Sequence, residues 1–155
     1  MAGILMYLLD TNIWLELLLD QERADEVYVF LEEIPVSQIL ITDFTLHSIG
    51  VVCNRYKRPQ VFKDFLQDIV VNGQISLSVI PIDELSTVVD ATIELGLDFD
   101  DAYQYICAER DDATLITFDK DFDSTSRGRQ IPAEVLAMLK TLSQEENDES
   151  TASST

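Results

Sequence analysis

Basic residues are scarce in this chain. Lys and Arg total 10 against 29 Asp and Glu, a formal net charge of -19 over 155 residues. That balance excludes a surface that holds nucleic acid by bulk electrostatics, since phosphate contacts draw on Lys and Arg. Any nucleic-acid ligand must be met at a local basic patch, through metal ions or through a partner. Cysteine is equally sparse. Cys53 and Cys107 fall in helix-patterned segments without metal-ligand spacing, and read as buried free thiols rather than a disulfide or zinc pair. That points to the cytoplasm. No apolar run approaches the ~20 residues that span a bilayer. Asp10 interrupts the first apolar stretch and no basic region precedes it, so a signal peptide is not expected. Ser-His-Asp, Cys-His and Gly-rich phosphate-loop patterns are all missing, which is consistent with chemistry that needs no covalent nucleophile.

The remainder is ordinary for a globular domain: 46% apolar and 25% charged residues, enough for one well-buried core. Ile4 to Leu9 is a short continuous apolar run, the pattern of a buried parallel strand. Asn12 or Thr11 is placed to cap the helix that follows. Apolar spacing predicts a helix over 22–34, ended by Pro35, and a strand over 39–41. Thr42 or Asp43 then caps a helix to about Arg55, and Pro59 opens another to about Val71. A strand over 75–80 leads to a helix capped by Asp83 and stopped by Gly96. Asp98 and Asp101 are spaced as a capping box for the next helix. A strand over 114–117 and a helix over 133–142 complete the series. Strands alternating with helices, with no hairpin signal, predict a three-layer α/β/α domain over 1–142 with a mostly parallel sheet of four to five strands. The tail over 143–155, rich in Glu, Asp, Ser and Thr, reads as acidic and disordered.

Three carboxylates recur where strands end or helices begin. Asp10 closes the first strand, Asp119 follows the last one, and Asp101 lies in the first turn of the helix leading into it. Ligands of open α/β sheets bind at the carboxyl edge of the strands, where these acids can converge. Two carboxylates about 4 Å apart repel by roughly 4 kcal/mol at an effective dielectric near 20. Such a cluster must protonate, disperse or hold a cation. Hard oxygen donors favour Mg²⁺ or Mn²⁺ over Zn²⁺. A divalent ion there can acidify a water and stabilise charge on phosphoryl oxygens, all that hydrolysis of a phosphodiester requires.

The words around these acids resemble the PIN domain family: Leu9-Asp10-Thr11-Asn12 near the start, Asp101-Ala102 heading a helix, and Thr117-Phe118-Asp119-Lys120-Asp121-Phe122 after the next strand. The resemblance runs from residue 4 to about 136 and is nearest in size to stand-alone prokaryotic members, many of them VapC-type toxins. It implies a Mg²⁺- or Mn²⁺-dependent ribonuclease with RNA as substrate, an antitoxin protein as partner, and a homodimer. It assigns catalysis and metal binding to Asp10, Asp101 and Asp119. Thr117 and Asn12 are supporting residues, and Asp121 is an acid beside the site.

One acid departs from the pattern. The family places a Glu in the helix after the second strand, and Ser48 stands there, beside His47 and with Asp43 nearby. Ser48, His47 or Asp43 could each complete the site. The departure also admits a second reading, a PIN-like binding protein with a depleted, weakly active or inactive site. Receiver and haloacid-dehalogenase-like folds also use strand-end aspartates. The Asp100-Asp101 pair opens a helix here, and Asn12 stands where the latter needs a second Asp, so both fit worse. The few cations group as Arg55, Lys57, Arg58 and Lys63 around Tyr56, and as Lys120, Arg127 and Arg129 after the last strand. The second group could steer RNA or pair with an acidic partner.

Overall fold

The computed structural model describes residues 3–154. Four strands form one parallel sheet: β1 (Met6–Leu9), β2 (Ile39–Thr42), β3 (Ser76–Ser78) and β4 (Ala113–Ile116), in the order β3-β2-β1-β4. Seven α-helices surround it: α1 (Thr11–Leu18), α2 (Ala24–Glu33), α3 (Asp43–Arg55), α4 (Pro59–Phe65), α5 (Leu85–Leu95), α6 (Phe99–Arg110) and α7 (Pro132–Ala152).

Strand periodicity sorts the core into two halves. Tyr7 and Leu9 of β1, with Ile39 and Ile41 of β2, point to a cluster that also holds Trp14, Phe30, Ile49, Phe65 and Val135. Leu8, Leu40 and Leu115 point the other way, into a cluster with Val88 of α5 and Tyr103, Ile106 and Cys107 of α6. Helices therefore cover both sheet faces, and the three-layer α/β/α expectation holds. Both faces of the central strands are buried, which is why those segments read as unbroken apolar runs. Cys53 and Cys107 are both buried and free.

Several boundaries differ from the sequence expectation. β1 starts at Met6, where pairing with β4 begins; Ile4 and Leu5 are exposed. The edge strand β3 is shorter than the apolar stretch that suggested it. The helix from Pro59 changes after Phe65 into π-type turns over Leu66–Asn72. α5 begins after a 3₁₀ turn at Ile82–Glu84, so Asp83 lies in that turn rather than at the cap. α7 continues past Leu142 to Ala152, so the segment expected to be a disordered tail is helical and exposed as far as that residue. Its Gln and Glu side chains are good helix formers, and Ser143 and Thr151 hydroxyls donate to carbonyls one turn back. Among the described residues, no helix is long and apolar enough to cross a membrane.

Connectivity creates the crevice. From β1 the chain moves to β2 and β3 on one side, then crosses to β4 on the other. The carboxyl ends of β1 and β4 therefore mark a topological switch point, where an open α/β sheet offers a ligand cleft.

Candidate active site

Asp10 leaves β1 at that switch point. Its backbone N–H donates to Ile116 O at 2.9 Å, extending the β1–β4 ladder by one bond. Its side chain caps α1 by accepting from Thr11 N at 2.8 Å. Asp10 itself is thus the N-cap expected of Thr11 or Asn12. The same Oδ1 accepts from Gln104 Nε2 at 2.9 Å, and Oδ2 accepts from the Thr117 hydroxyl at 2.8 Å. Burial raises the Asp10 carboxyl, opposed by these three donors and reinforced by the nearby Asp119 charge.

Thr117 and Asn12 lock the two strand ends together. Asn12 donates to Thr117 Oγ1 at 2.9 Å and accepts from Phe118 N at 3.1 Å. Thr117 Oγ1 in turn accepts from Asp119 N at 3.1 Å. Asp119 caps the 3₁₀ turn Lys120–Ser124 by accepting from Asp121 N at 2.9 Å. Each bond fixes the backbone that carries an acid.

Asp101 comes from the first turn of α6. The expected capping box does not form: Asp98 holds the N-cap position, but its side chain makes no cap bond. An Asp at the third helical position is one methylene shorter than the Glu or Gln that normally reaches back. Asp101 instead lines a cleft of about 290 Å³ together with Asp10, Asp119, Asp100, Gln104 and Ser48. One carboxylate oxygen each from Asp101, Asp119 and Asp121 lie within 4.8 Å of one another. Asp98, Asp100 and Asp101 form a second such group, of which Asp98 lies outside the cleft lining. The Asp101 carboxyl is pushed up to about 7, first by burial, then by Asp100, Asp119, Asp10 and Asp121. Like charges this close favour the protonated form unless a cation joins them.

Gln104 is the site residue that sequence reading missed. Fully buried, it donates to both Asp10 and Thr45 (2.8 Å) and accepts from the Thr42 hydroxyl at 2.6 Å. Thr42 is also the N-cap of α3, accepting from Thr45 N. The signal was available: Gln104 is the lone amide in a stretch of α6, Ala102 to Ala108, that is otherwise apolar or aromatic, and it lies one turn after Asp101.

The three candidates for the missing acid separate clearly. Ser48 lines the cleft. Asp43 does not; it accepts from Tyr103 OH at 2.7 Å. His47 lines a neighbouring apolar hollow with Phe44, Ser48, Val51 and Val52. Two of the three basic residues after β4 are also spoken for. Arg127 pairs with Asp112 at 3.3 Å and Arg129 with Asp123 at 2.9 Å, while Arg129 also donates to Thr117 O at 3.1 Å. Those two arginines brace the loop rather than offer free charge to a ligand.

Residues 7–128 match the family model of the PIN domain. No curated protein matches significantly. Among solved structures, the fold is similar to VapC20 of Mycobacterium tuberculosis, described as a sarcin-ricin loop cleaving toxin. That match has a TM-score of 0.66 and 14% identity, covering 77% of this chain and 95% of that one. A toxin–antitoxin complex from Klebsiella pneumoniae matches with a TM-score of 0.63 and 24% identity, over 81% and 97% of the two chains. VapBC2 from Rickettsia felis, bound to a DNA fragment from its promoter, matches at 0.62 and 18%, over 81% and 97%. These likenesses speak for the fold, and the sequence match takes in Asp10, Asp101 and Asp119 alike: the chain belongs to the PIN domain family.

Proposed function

We propose that this protein is a divalent-metal-dependent endoribonuclease and the toxin of a toxin–antitoxin pair. The observation that carries the reading is the convergence of Asp10, Asp101 and Asp119 on one cleft at the switch point of the sheet. The donor set fits a hard cation: carboxylate oxygens alone, with the oxygens of Asp101, Asp119 and Asp121 within 4.8 Å of one another. Asp10, Asp101 and Asp119 would hold Mg²⁺ or Mn²⁺, with Asp121 beside them. When bound, such an ion supplies Lewis acidity toward phosphoryl oxygens and an acidified water for hydrolysis of the phosphodiester.

The chain's own residues prepare that chemistry. Thr11 N–H, Gln104 and Thr117 orient the Asp10 carboxylate and favour its ionised form. Asp101 holds a proton near neutrality in the metal-free protein and gives it up when a cation offsets the surrounding acids. Leu15 and Phe44 supply apolar wall to the cleft.

An antitoxin partner, and a homodimer, belong to the same proposal. A hollow of about 300 Å³ between α1 and the helix from Pro59 offers a mostly apolar seat, lined by Trp14, Leu17, Leu18, Val61, Phe65 and Ile69 together with the carboxylates of Asp64 and Asp68. The buried Trp14 indole N–H has no hydrogen-bond partner among the described residues. Cleavage of single-stranded RNA in Mn²⁺ or Mg²⁺, abolished by Asp10→Asn and by chelation, is the expected result. Ser48 on the cleft wall favours a second reading, a PIN-like binding protein with a depleted site. Partner binding by the wild type without any cleavage would establish that alternative.

A further inference from the structure

The acidic cleft has a continuation. Phe44 and Ser48 line both the cleft and the apolar hollow of about 360 Å³ beside it, so the two spaces adjoin along α3. Val51 and Val52 form the far wall of that hollow. One turn further along the helix, the chain reaches Arg55, Tyr56, Lys57 and Arg58, with Lys63 following in α4, and all five are exposed. Ser48 and Arg55 are seven residues apart, two turns, and therefore share one face of α3 about 10 Å apart along the axis.

The charges along this face are distributed unevenly. Arg23, Arg110, Arg127 and Arg129 are each paired with a carboxylate. Arg55 and Arg58 are the arginines outside every ion pair among the described residues, and Lys57 and Lys63 are likewise unpaired. In a chain of net charge -19, acids have neutralised none of these four clustered cations. The C-terminal dipole of α3 accounts for a single cation, Arg55, in its last turn. It does not explain four. Lys57 also occupies a left-handed position, φ 58°, just past the helix end, where Gly costs least; α5 uses Gly96 at its own such position.

We propose that the face of α3 from Ser48 to Arg55, continued by the turn to Arg58, is the track on which single-stranded RNA reaches the acidic cleft. The proposal rests on the ribonuclease reading of that cleft. Arg55, Lys57, Arg58 and Lys63 hold phosphates, and Tyr56, 60% exposed among them, offers a ring for a base to stack on. Cations interleaved with an aromatic are how proteins hold single strands without reading sequence. The apolar hollow then carries the strand across the roughly 10 Å between Ser48 and Arg55. This local patch answers the objection that the overall charge raises against nucleic acid.

The test compares wild type with Arg55→Gln, Lys57→Gly, Arg58→Gln and Lys63→Gln, singly and together, in the full-length protein. Lys57→Gly relieves the left-handed backbone, so loss of binding by that variant cannot be put down to misfolding. Binding of a labelled oligouridylate is measured against salt without divalent metal, and cleavage is measured separately in Mn²⁺. The expected result is binding weakened roughly tenfold or more in the combined variant, with the salt slope shallower by about 0.7 for each cation lost. KM rises and kcat stays near wild type. Unchanged affinity and slope in the combined variant would overturn the track, whether or not the wild type cleaves. Oligouridylate bound through these residues without cleavage in Mn²⁺ would support the track and defeat the ribonuclease reading instead. Polyglutamate captured by the four cations more tightly than oligouridylate would assign the patch to an acidic protein and overturn the RNA assignment.

Discussion

Gln104 Nε2 donates to Asp10 Oδ1 across 2.9 Å, joining residues 94 positions apart. The bond ties the helix that carries Asp101 to the strand end that carries Asp10. Because the same amide also engages Thr42 and Thr45, it links β1, β2, α3 and α6 beneath the cleft floor. Such a buried network is stable only when every member is satisfied.

Replacing Gln104 by Leu keeps most of the volume and removes every one of those bonds. Asp10 keeps its bonds from Thr11 and Thr117, while the Thr42 hydroxyl loses its acceptor. Leaving buried polar groups unpaired costs about 1–3 kcal/mol, to be read from urea unfolding. Metal affinity should fall as well, since Asp10 loses a constraint on its orientation. A variant within about 0.5 kcal/mol of wild type, the usual range for surface changes, would show that the network is dispensable.

The acids should make the metal-free protein less stable as pH rises. The folded-state Asp101 carboxyl is pushed up to about 7 from the ordinary 3.8 of an unperturbed Asp, and burial moves Asp10 in the same direction. Between these values the folded state keeps a proton that the unfolded chain has released. The stabilisation is therefore full below the lower value and is lost as pH climbs through about 7. Melting temperature measured against pH in chelator should decline across that window, and Asp101→Asn should flatten the decline. A flat wild-type profile would mean that the acids do not interact.

Divalent metal should reverse that trend. A cation that binds only the folded state stabilises it by mass action, about 2.7 kcal/mol at a hundred times the dissociation constant. Mn²⁺ or Mg²⁺ should raise the melting temperature most above neutrality, where Asp101 has no proton to displace. Asp10→Asn and Asp119→Asn should each shrink the gain. Indifference of the wild type to millimolar metal would count against a preformed site.

Much of this was legible in the sequence because the signals were short-range. The runs at 4–9, 39–41 and 114–117 announced buried strands, and Gly96 announced the end of α5, where its φ of 67° is left-handed. Part of what failed depended on partners distant in sequence. The pairing limit of β1 at Met6 is set by Ala113. The fate of Arg127 is set by Asp112, on the far side of β4 in sequence, which no local pattern singles out. Gln104 draws its importance from Asp10, Thr42 and Thr45, all more than fifty residues away. Strand-end acids are visible in one dimension; the amide that holds them is visible only once the layers are stacked.

Ser48 decides how complete the site is. It lines the cleft beside Asp10 and Asp101, while Asp43 is engaged by Tyr103 and His47 lines the next hollow. The wild type should therefore bind one metal well and a second weakly. Cleavage should be slow and favour Mn²⁺, since Mg²⁺ demands near-ideal octahedral oxygens. Ser48→Glu adds a carboxylate to a cleft already crowded with them. In chelator the variant should melt below wild type at neutral pH, because another like charge faces Asp101. With metal the order should reverse, with tighter binding, faster cleavage and less preference for Mn²⁺. The crossover in melting temperature is the informative readout, because a Glu pointing into solvent would produce neither the loss nor the recovery. If metal titration and RNA cleavage are both unchanged in Ser48→Glu, position 48 does not complete the site, and the three aspartates work alone.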